Sequence, residues 1–339
     1  MESVPGSGEE HVISDVHIGC PPHFSGLYLS HFTFSPPQTA PPENVLEQSA
    51  DGCEGSQLVS TCQKHEYDQE GDLILSRRRS RKKDKQTMCH SIVIQHKTTS
   101  SIPNVGLQVW STALMLADFV LHTIFTSSDF NDAIVLELGA GTGLVGILLA
   151  RVARSVYLTD IDEEILENCS TNVHLNSKMY LHGESSIHVR ELNWNNSWPP
   201  EVHCCDDPSL RTKYSWSLSE IQEVEGALVL LAADVIYSDD LTHSFFDTVG
   251  KLMEQGSRKV LYLCLEKRYN FSLDELDVVA NGYSHFRKYF IDEEDYNSTN
   301  GSIMPCFIGR RIDISQIPQF IPEYSRGEDL ELWKIHRFH

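Results

Sequence analysis

Val135-Leu136-Glu137-Leu138-Gly139-Ala140-Gly141-Thr142-Gly143-Leu144 reads as a buried strand, a glycine turn and the start of a helix. The apolar run Ile134 to Leu138 is bounded by Asn131-Asp132 on one side and by glycines on the other, as expected of a central parallel strand covered on both faces. Glycine at 139, 141 and 143 lets the backbone bend sharply and lie against a ligand, because no side chain blocks the approach. Leu144 to Ala150 is nearly all apolar and is expected to pack on the sheet. Val156-Tyr157-Leu158-Thr159-Asp160 is the next strand, and its terminal carboxylate can accept hydrogen bonds from two ribose hydroxyls. Gly141-Thr142-Gly143-Leu144-Val145-Gly146 also fits the dinucleotide fingerprint. The residues of the turn therefore leave open an adenosyl cofactor, a nicotinamide dinucleotide, or a turn that binds nothing.

Outward from this unit the pattern alternates. Strands are expected at 134–138, 155–159, 187–191, 227–232, 259–265, 285–291 and 330–335, with a further strand at 92–96. Helices are expected at 108–125, 144–153, 163–175, 241–254 and 273–281. Such βαβ alternation predicts an α/β, doubly wound, mostly parallel seven-stranded sheet with helices on both faces. The late strands lack clear helices between them, so one is expected to return antiparallel. The loop-rich stretch 195–224, with Trp198, Pro199 and Trp216, either shapes client choice or packs on the domain rim.

Composition divides the chain into an N-terminal extension (1–35), a polar segment (36–88) and an α/β domain (89–339). Val12 to Ile18 and Leu27 to Phe34 carry β-formers and suggest an edge hairpin. The polar segment is rich in Pro, Ser, Gln, Gly and charge, the signature of a partly disordered linker. It holds the basic run Arg77-Arg78-Arg79-Ser80-Arg81-Lys82-Lys83-Asp84-Lys85, a nuclear import signal or a solvated stretch. In an acidic chain it favours the nucleus, with the cytoplasm as a second compartment. Net charge of -21 disfavours direct nucleic-acid binding and favours a basic partner protein. No membrane is expected, because no segment read from the sequence approaches the length of a membrane span. Nine cysteines occur without metal spacing, so no metal site is expected and the thiols are read as reduced.

Ligands of open α/β sheets bind at the carboxyl ends of strands. Three further stretches end there: Leu192-Asn193-Trp194, Ala233-Asp234-Val235-Ile236-Tyr237 and Glu266-Lys267-Arg268. Trp194 can cover an adenine face, although a strand-end indole is more often simple packing. Asp234 either acts in the site or caps the helix that starts near Asp239-Asp240.

Val109-Trp110 at the head of a helix, Glu137 to Leu144, Asp160, Leu192-Asn193-Trp194 and Ala233 to Tyr237 are five separated motifs that, in this order, resemble the seven-β-strand methyltransferases of family 16, mostly protein-lysine methyltransferases. The resemblance runs from about residue 90 to the end. It implies a Rossmann-like class I methyltransferase fold, S-adenosyl-L-methionine as cofactor, and a protein substrate presenting a lysine. It implies that Trp110 walls the methionine or ribose side, Gly139 and Gly141 touch the methionine portion, Asp160 holds the ribose, and Trp194 and Ala233 contact the adenosine. Glu137, Ala140 and Asn193 complete the cofactor-binding set. At 193 many members carry Asp where this chain has Asn, which keeps hydrogen bonding but loses the charge. Asp234 and Tyr237 are the expected catalytic pair. Asp234 is assigned orientation and capture of the amine, since a carboxylate raises an amine's pKa and cannot ease its deprotonation. Asp-Val-Ile-Tyr at 234–237 differs from the Asn-Pro-Pro-Tyr type motif of relatives that methylate planar amides. Two rival readings are an interaction module that kept the pocket without the activity, and an NAD-dependent oxidoreductase, for which no hydride-site constellation is evident.

Overall fold

The computed structural model describes residues 11–14, 16, 26–37, 90–202, 213–272, 277–298 and 306–338. From residue 38 onward the polar segment and its basic run lie outside the described residues. The chain divides into two compact units, residues 1–33 with 91–339, and residues 34–90. In the smaller unit the rings of Phe34 and His90 stack with centroids 5.5 Å apart.

The first four strands are β1 (His11–Ile13), β2 (Tyr28–Phe34), β3 (His90–His96) and β4 (Thr99–Ser101). They precede β5 (Ile134–Leu138), β6 (Ser155–Asp160), β7 (Ile187–Glu191), β8 (Val229–Ala233) and β9 (Val260–Glu266). The last are β10 (Asn270–Ser272), β11 (Asp277–Val279), β12 (Phe290–Asp292), β13 (Phe307–Ile312) and β14 (Leu330–Arg337). The helices are α1 (Ser111–Thr126), α2 (Leu144–Leu149), α3 (Glu163–Leu175), α4 (Leu218–Glu225), α5 (Asp239–Glu254), α6 (Asn281–Phe286) and α7 (Glu293–Ser298).

Eight strands form the main sheet, in the order β12-β13-β14-β9-β8-β5-β6-β7. β9, β8, β5, β6 and β7 run parallel. β14 is antiparallel to both its neighbours, β9 and β13, which is the expected reversed strand. All five residues of β5 are buried, as a run with no polar alternation requires in a doubly covered sheet. From β5 the chain first builds outward through β6 and β7, then returns to add β8 and β9 on the other side. The carboxyl ends of β5 and β8 therefore flank a topological switch point, where such sheets leave a crevice.

Several expectations are corrected. The sheet has eight strands, not seven, among the described residues. Of the helix expected at 273–281, residues 273–276 lie outside the described residues, and 277–279 form β11, paired antiparallel with β10. The strand expected at 285–291 is the end of α6 followed by β12. Phe286 is buried from a helix, so its apolar character gave the wrong period. β13 was not foreseen. Only its first half is apolar, and it is completed by β14 on one side and by β12 on the other. A side chain at Gly309 would meet the Phe290 ring at 2.3 Å, so this pairing needs glycine there.

The N-terminal hairpin is also corrected. β1 pairs antiparallel with β4, and β2 pairs with β3. The Ser14 hydroxyl donates to the Val109 carbonyl at 2.5 Å and the Gln108 amide donates to the Val12 carbonyl at 2.9 Å. These bonds tie the first strand to the segment before α1, a partnership that local pattern does not encode.

The segment Ile102–Thr126 is long and apolar enough, by length and composition, to cross a membrane, contrary to the sequence expectation. In the fold it is a 3-10 turn and a helix separated at Trp110, whose backbone is extended. α1 is buried along most of its length against α2 and β9, as a core helix is. In the 195–224 region Trp198 and Trp216 are buried. Trp216 stacks on Tyr157 with centroids 5.6 Å apart and donates from Nε1 to the Glu191 carbonyl at 2.7 Å. These indoles are packing residues.

Asparagines at 168, 172 and 176 lie on one face of α3 and beyond its end, four residues apart. Asn172 Oδ1 accepts the Gln95 N–H at 2.6 Å and Asn176 Oδ1 accepts the Val93 N–H at 2.9 Å. Their amide groups donate to the Gln95 and Val93 carbonyls. Side chains thus take the place of a neighbouring strand along this edge of β3.

Candidate active site

A cavity of about 470 Å³ opens at the switch point, a size that suits a small organic ligand. Trp110, Glu137, Gly139, Ala140, Gly141, Asp160, Asn193, Trp194, Ala233, Asp234 and Tyr237 all line it. The fold thus gathers every residue expected in the cofactor-binding set and the catalytic pair. A further wall was not foreseen. It comes from Ile102, Pro103, Val105 and Gly106 of the 3-10 turn before α1, and from Ile161 and Ile165 after β6. Pro103 at the start of that turn was the available signal, since proline suits a first helical position.

The glycine turn is tight on its outer side as well as its inner one. Gly139 and Gly141 have φ of 67° and 53°, the left-handed region that side chains disfavour. A side chain at 139 would meet Val235 at 2.9 Å and the Trp194 ring at 3.3 Å, and one at 141 would come within 2.8 Å of the Gly106 carbonyl. Asp160 is anchored to this turn. Its Oδ2 accepts the Gly141 N–H and its Oδ1 the Ile161 N–H, both at 2.9 Å. Each oxygen keeps a lone pair for a further donor. Burial pushes the Asp160 carboxyl up from its ordinary value, and the two N–H groups oppose that shift.

Glu137 plays a different part from its neighbours. Its Oε2 accepts the Gly146 N–H at 2.8 Å, and the residue is only 2% exposed. Burial first, then the charge of Asp160, push its carboxyl up to about 8. Its carboxyl ties the strand tip to α2.

The aromatic walls are fixed by ordinary contacts. Trp110 Nε1 donates to the Val105 carbonyl at 3.2 Å. Trp194 meets Phe245 edge to face with centroids 5.1 Å apart. Asn193 Oδ1 accepts the Asn195 N–H at 2.9 Å, a turn bond that Asp would make equally well. The Asp-to-Asn departure therefore leaves the local backbone unchanged.

Asp234 stands in the left-handed region with φ of 57°, and its N–H bonds the Cys264 carbonyl at 3.0 Å. The helix-cap reading is overturned: Ser238 is the N-cap of α5, and the Asp234 carboxylate pairs with Arg268 at 2.5 Å. That ion pair also corrects the picture of a carboxylate waiting for an amine. The sequence pattern assigns Arg268 no role. Tyr237 is about half exposed. Desolvation, then the charges of Asp160 and Asp234, push its phenol up, so it is a neutral hydroxyl at neutral pH. Among the described residues no cluster of metal ligands occurs. Cys169, Cys264 and Cys306 are free thiols.

This fold, with a glycine turn and an acidic strand tip at the switch point, is that of the Rossmann-like methyltransferases. The family model described as "Lysine methyltransferase" matches residues 86–207, and over this stretch the chain resembles methyltransferase family 16. It is 39% identical over 249 residues to methyltransferase-like protein 22 of Mus musculus, and 37% identical over 249 residues to that of Homo sapiens. Each match takes in 73% of this chain, and the chain spans 59% and 58% of those relatives' lengths. It is also 30% identical over 175 residues to the protein-lysine N-methyltransferase EEF2KMT of Mus musculus, covering 49% of this chain and 43% of that one.

The cleft has the chemistry to hold S-adenosyl-L-methionine. Asp160 offers acceptors for ribose hydroxyls, Trp194 offers an indole face, and the glycine turn leaves backbone bare at Gly139 and Gly141.

Proposed function

We propose that this chain transfers a methyl group from S-adenosyl-L-methionine to a lysine side chain of a basic, nuclear client protein. The observation that carries this reading is the cleft itself, which joins the Asp160 strand tip and the glycine turn to the Asp234–Tyr237 rim in one cavity. When bound, the cofactor supplies a methyl group already activated on sulfonium sulfur. Asp160 would hold the ribose, Trp194 and Ala233 the adenosine, and Gly139 and Gly141 the methionine portion. Tyr237, uncharged at neutral pH, orients the incoming amine through its hydroxyl. The chain then aligns the nitrogen with the methyl carbon and keeps water out.

The formal charge of -21 supports a basic client, drawn in by long-range attraction that salt weakens. It disfavours direct nucleic-acid binding. The basic run at 77–85 supports nuclear import, and a fluorescent fusion with those lysines and arginines replaced by glutamine should lose nuclear enrichment. For the reaction, nuclear extract is incubated with tritiated cofactor, with and without the chain. Label on specific protein lysines, mapped by mass spectrometry, is expected. Label on no lysine of any protein sinks the reading. Calorimetry should give a binding isotherm with S-adenosylmethionine and none with NAD.

A further inference from the structure

Arg268 follows β9, and its guanidinium meets two residues of the cleft rim. Its Nη2 donates to Asp234 Oδ2 at 2.5 Å, and its Cζ stands 5.4 Å from the centre of the Trp110 ring. The Asp234 side chain is 9% exposed and that of Arg268 is 42% exposed. A carboxylate beside an indole face makes a cation subsite. Here the chain's own guanidinium fills it.

The requirement of the reaction gives this arrangement a purpose. An amine attacks the sulfonium methyl through its lone pair, so it must arrive without its third proton. A bare carboxylate at Asp234 would favour the ammonium form, whereas a guanidinium nearby favours the neutral amine. Arginine keeps its charge at any working pH, so the pair with Asp234 persists. Other charged groups near the rim are Asp160, whose charge reaches Tyr237, Asp162, which lines the same cavity, and Glu266 at the end of β9. Lys267 is engaged with Glu331 at 2.7 Å.

We propose that Arg268 is a specificity and positioning residue of the acceptor end of the cleft: by pairing with Asp234 it denies that carboxylate to a standing ammonium, so that a lysine side chain enters as its neutral amine. This rests on the reading of the Asp234–Tyr237 rim as the acceptor end.

The test is a ligand-observed NMR titration at pH 7 of the full chain loaded with S-adenosylhomocysteine. The probes are n-butylammonium, which copies the end of a lysine side chain, and n-butanol, its neutral counterpart. Arg268→Met should bind n-butylammonium about tenfold more tightly than the unsubstituted chain, with n-butanol unchanged. Arg268→Lys should keep the weak ammonium binding, a rescue by charge that a merely structural role would not give. Asp234→Asn added to Arg268→Met should abolish the gain. Equal n-butylammonium affinity in Arg268→Met and the unsubstituted chain overturns the proposal, as does failure of both probes to bind any variant. If S-adenosylhomocysteine itself does not bind, the methyltransferase reading falls with it. If it binds and the probes discriminate as expected while no protein lysine is ever labelled, the subsite inference stands and the lysine-transfer reading fails.

Discussion

Glu137 and Asp160 are neighbouring carboxyl groups on adjacent strand tips with different tasks. Glu137 lies under the turn, and its pKa is raised from 4.5 to about 8. A raised pKa means that the folded state holds a proton which the unfolded chain releases. The stability tied to that proton is fully present below about 4.5 and is lost as pH rises toward about 8. The slope is at most about 1.4 kcal/mol per pH unit. Glu137→Gln keeps an acceptor for Gly146 and removes the titration. Urea midpoints at pH 5, 6.5 and 8 should show the unsubstituted chain losing ground to the variant as pH rises, and parallel curves would refute the assignment. Asp160→Ala removes the acceptor of the Gly141 and Ile161 N–H groups. Cofactor affinity should fall by about 2–3 kcal/mol, as for loss of hydrogen bonds to a charged group, measured by calorimetry on a variant whose circular dichroism is unchanged.

At the scale of elements, α3 does more than cover the sheet. Its Asn172 is fully buried and bonds the Gln95 N–H, the Gln95 carbonyl and the Thr142 carbonyl. It therefore links β3 to the glycine turn. Asn172→Leu has a similar volume but leaves the Gln95 N–H without that acceptor. A loss of about 2 kcal/mol is expected from the stranded backbone group, read as a lower denaturation midpoint. Faster hydrogen exchange should appear at Gln95, and an unchanged exchange rate there would contradict this role. The sequence displayed the asparagine spacing but not its target, because four-residue spacing reports a shared helix face and says nothing of what the face meets.

Across the whole molecule, Asp118 ties α1 to the segment before β14. It is fully buried and accepts from the Phe320 and Ile321 N–H groups, from Tyr324 Oη at 2.6 Å and from Arg326 Nη2 at 2.7 Å. Burial pushes its carboxyl up, and these partners hold it down. Asp118→Ala removes a fully buried carboxylate, the counter-ion of Arg326 and the acceptor of the Phe320 and Ile321 N–H groups, and should cost about 3–5 kcal/mol. The helix that Trp110 precedes depends on this tether. The thermal midpoint should fall by several degrees, and a variant as stable as the parent would show that the network is dispensable.

What the sequence determined alone is the unit from Ile134 to Asp160 and the βαβ alternation around it. There, the period of apolar residues and the glycine positions act within a few residues of one another, and every residue expected at the site was found to line one cleft. Only tertiary structure decided that α6 and β12 occupy residues 281–292 where a single strand was expected, that β1 joins β4, and that Arg268 reaches Asp234. Those outcomes depend on which strand ends become neighbours, and adjacency across 34 residues is set by the packing of the whole sheet, on which no local pattern reports.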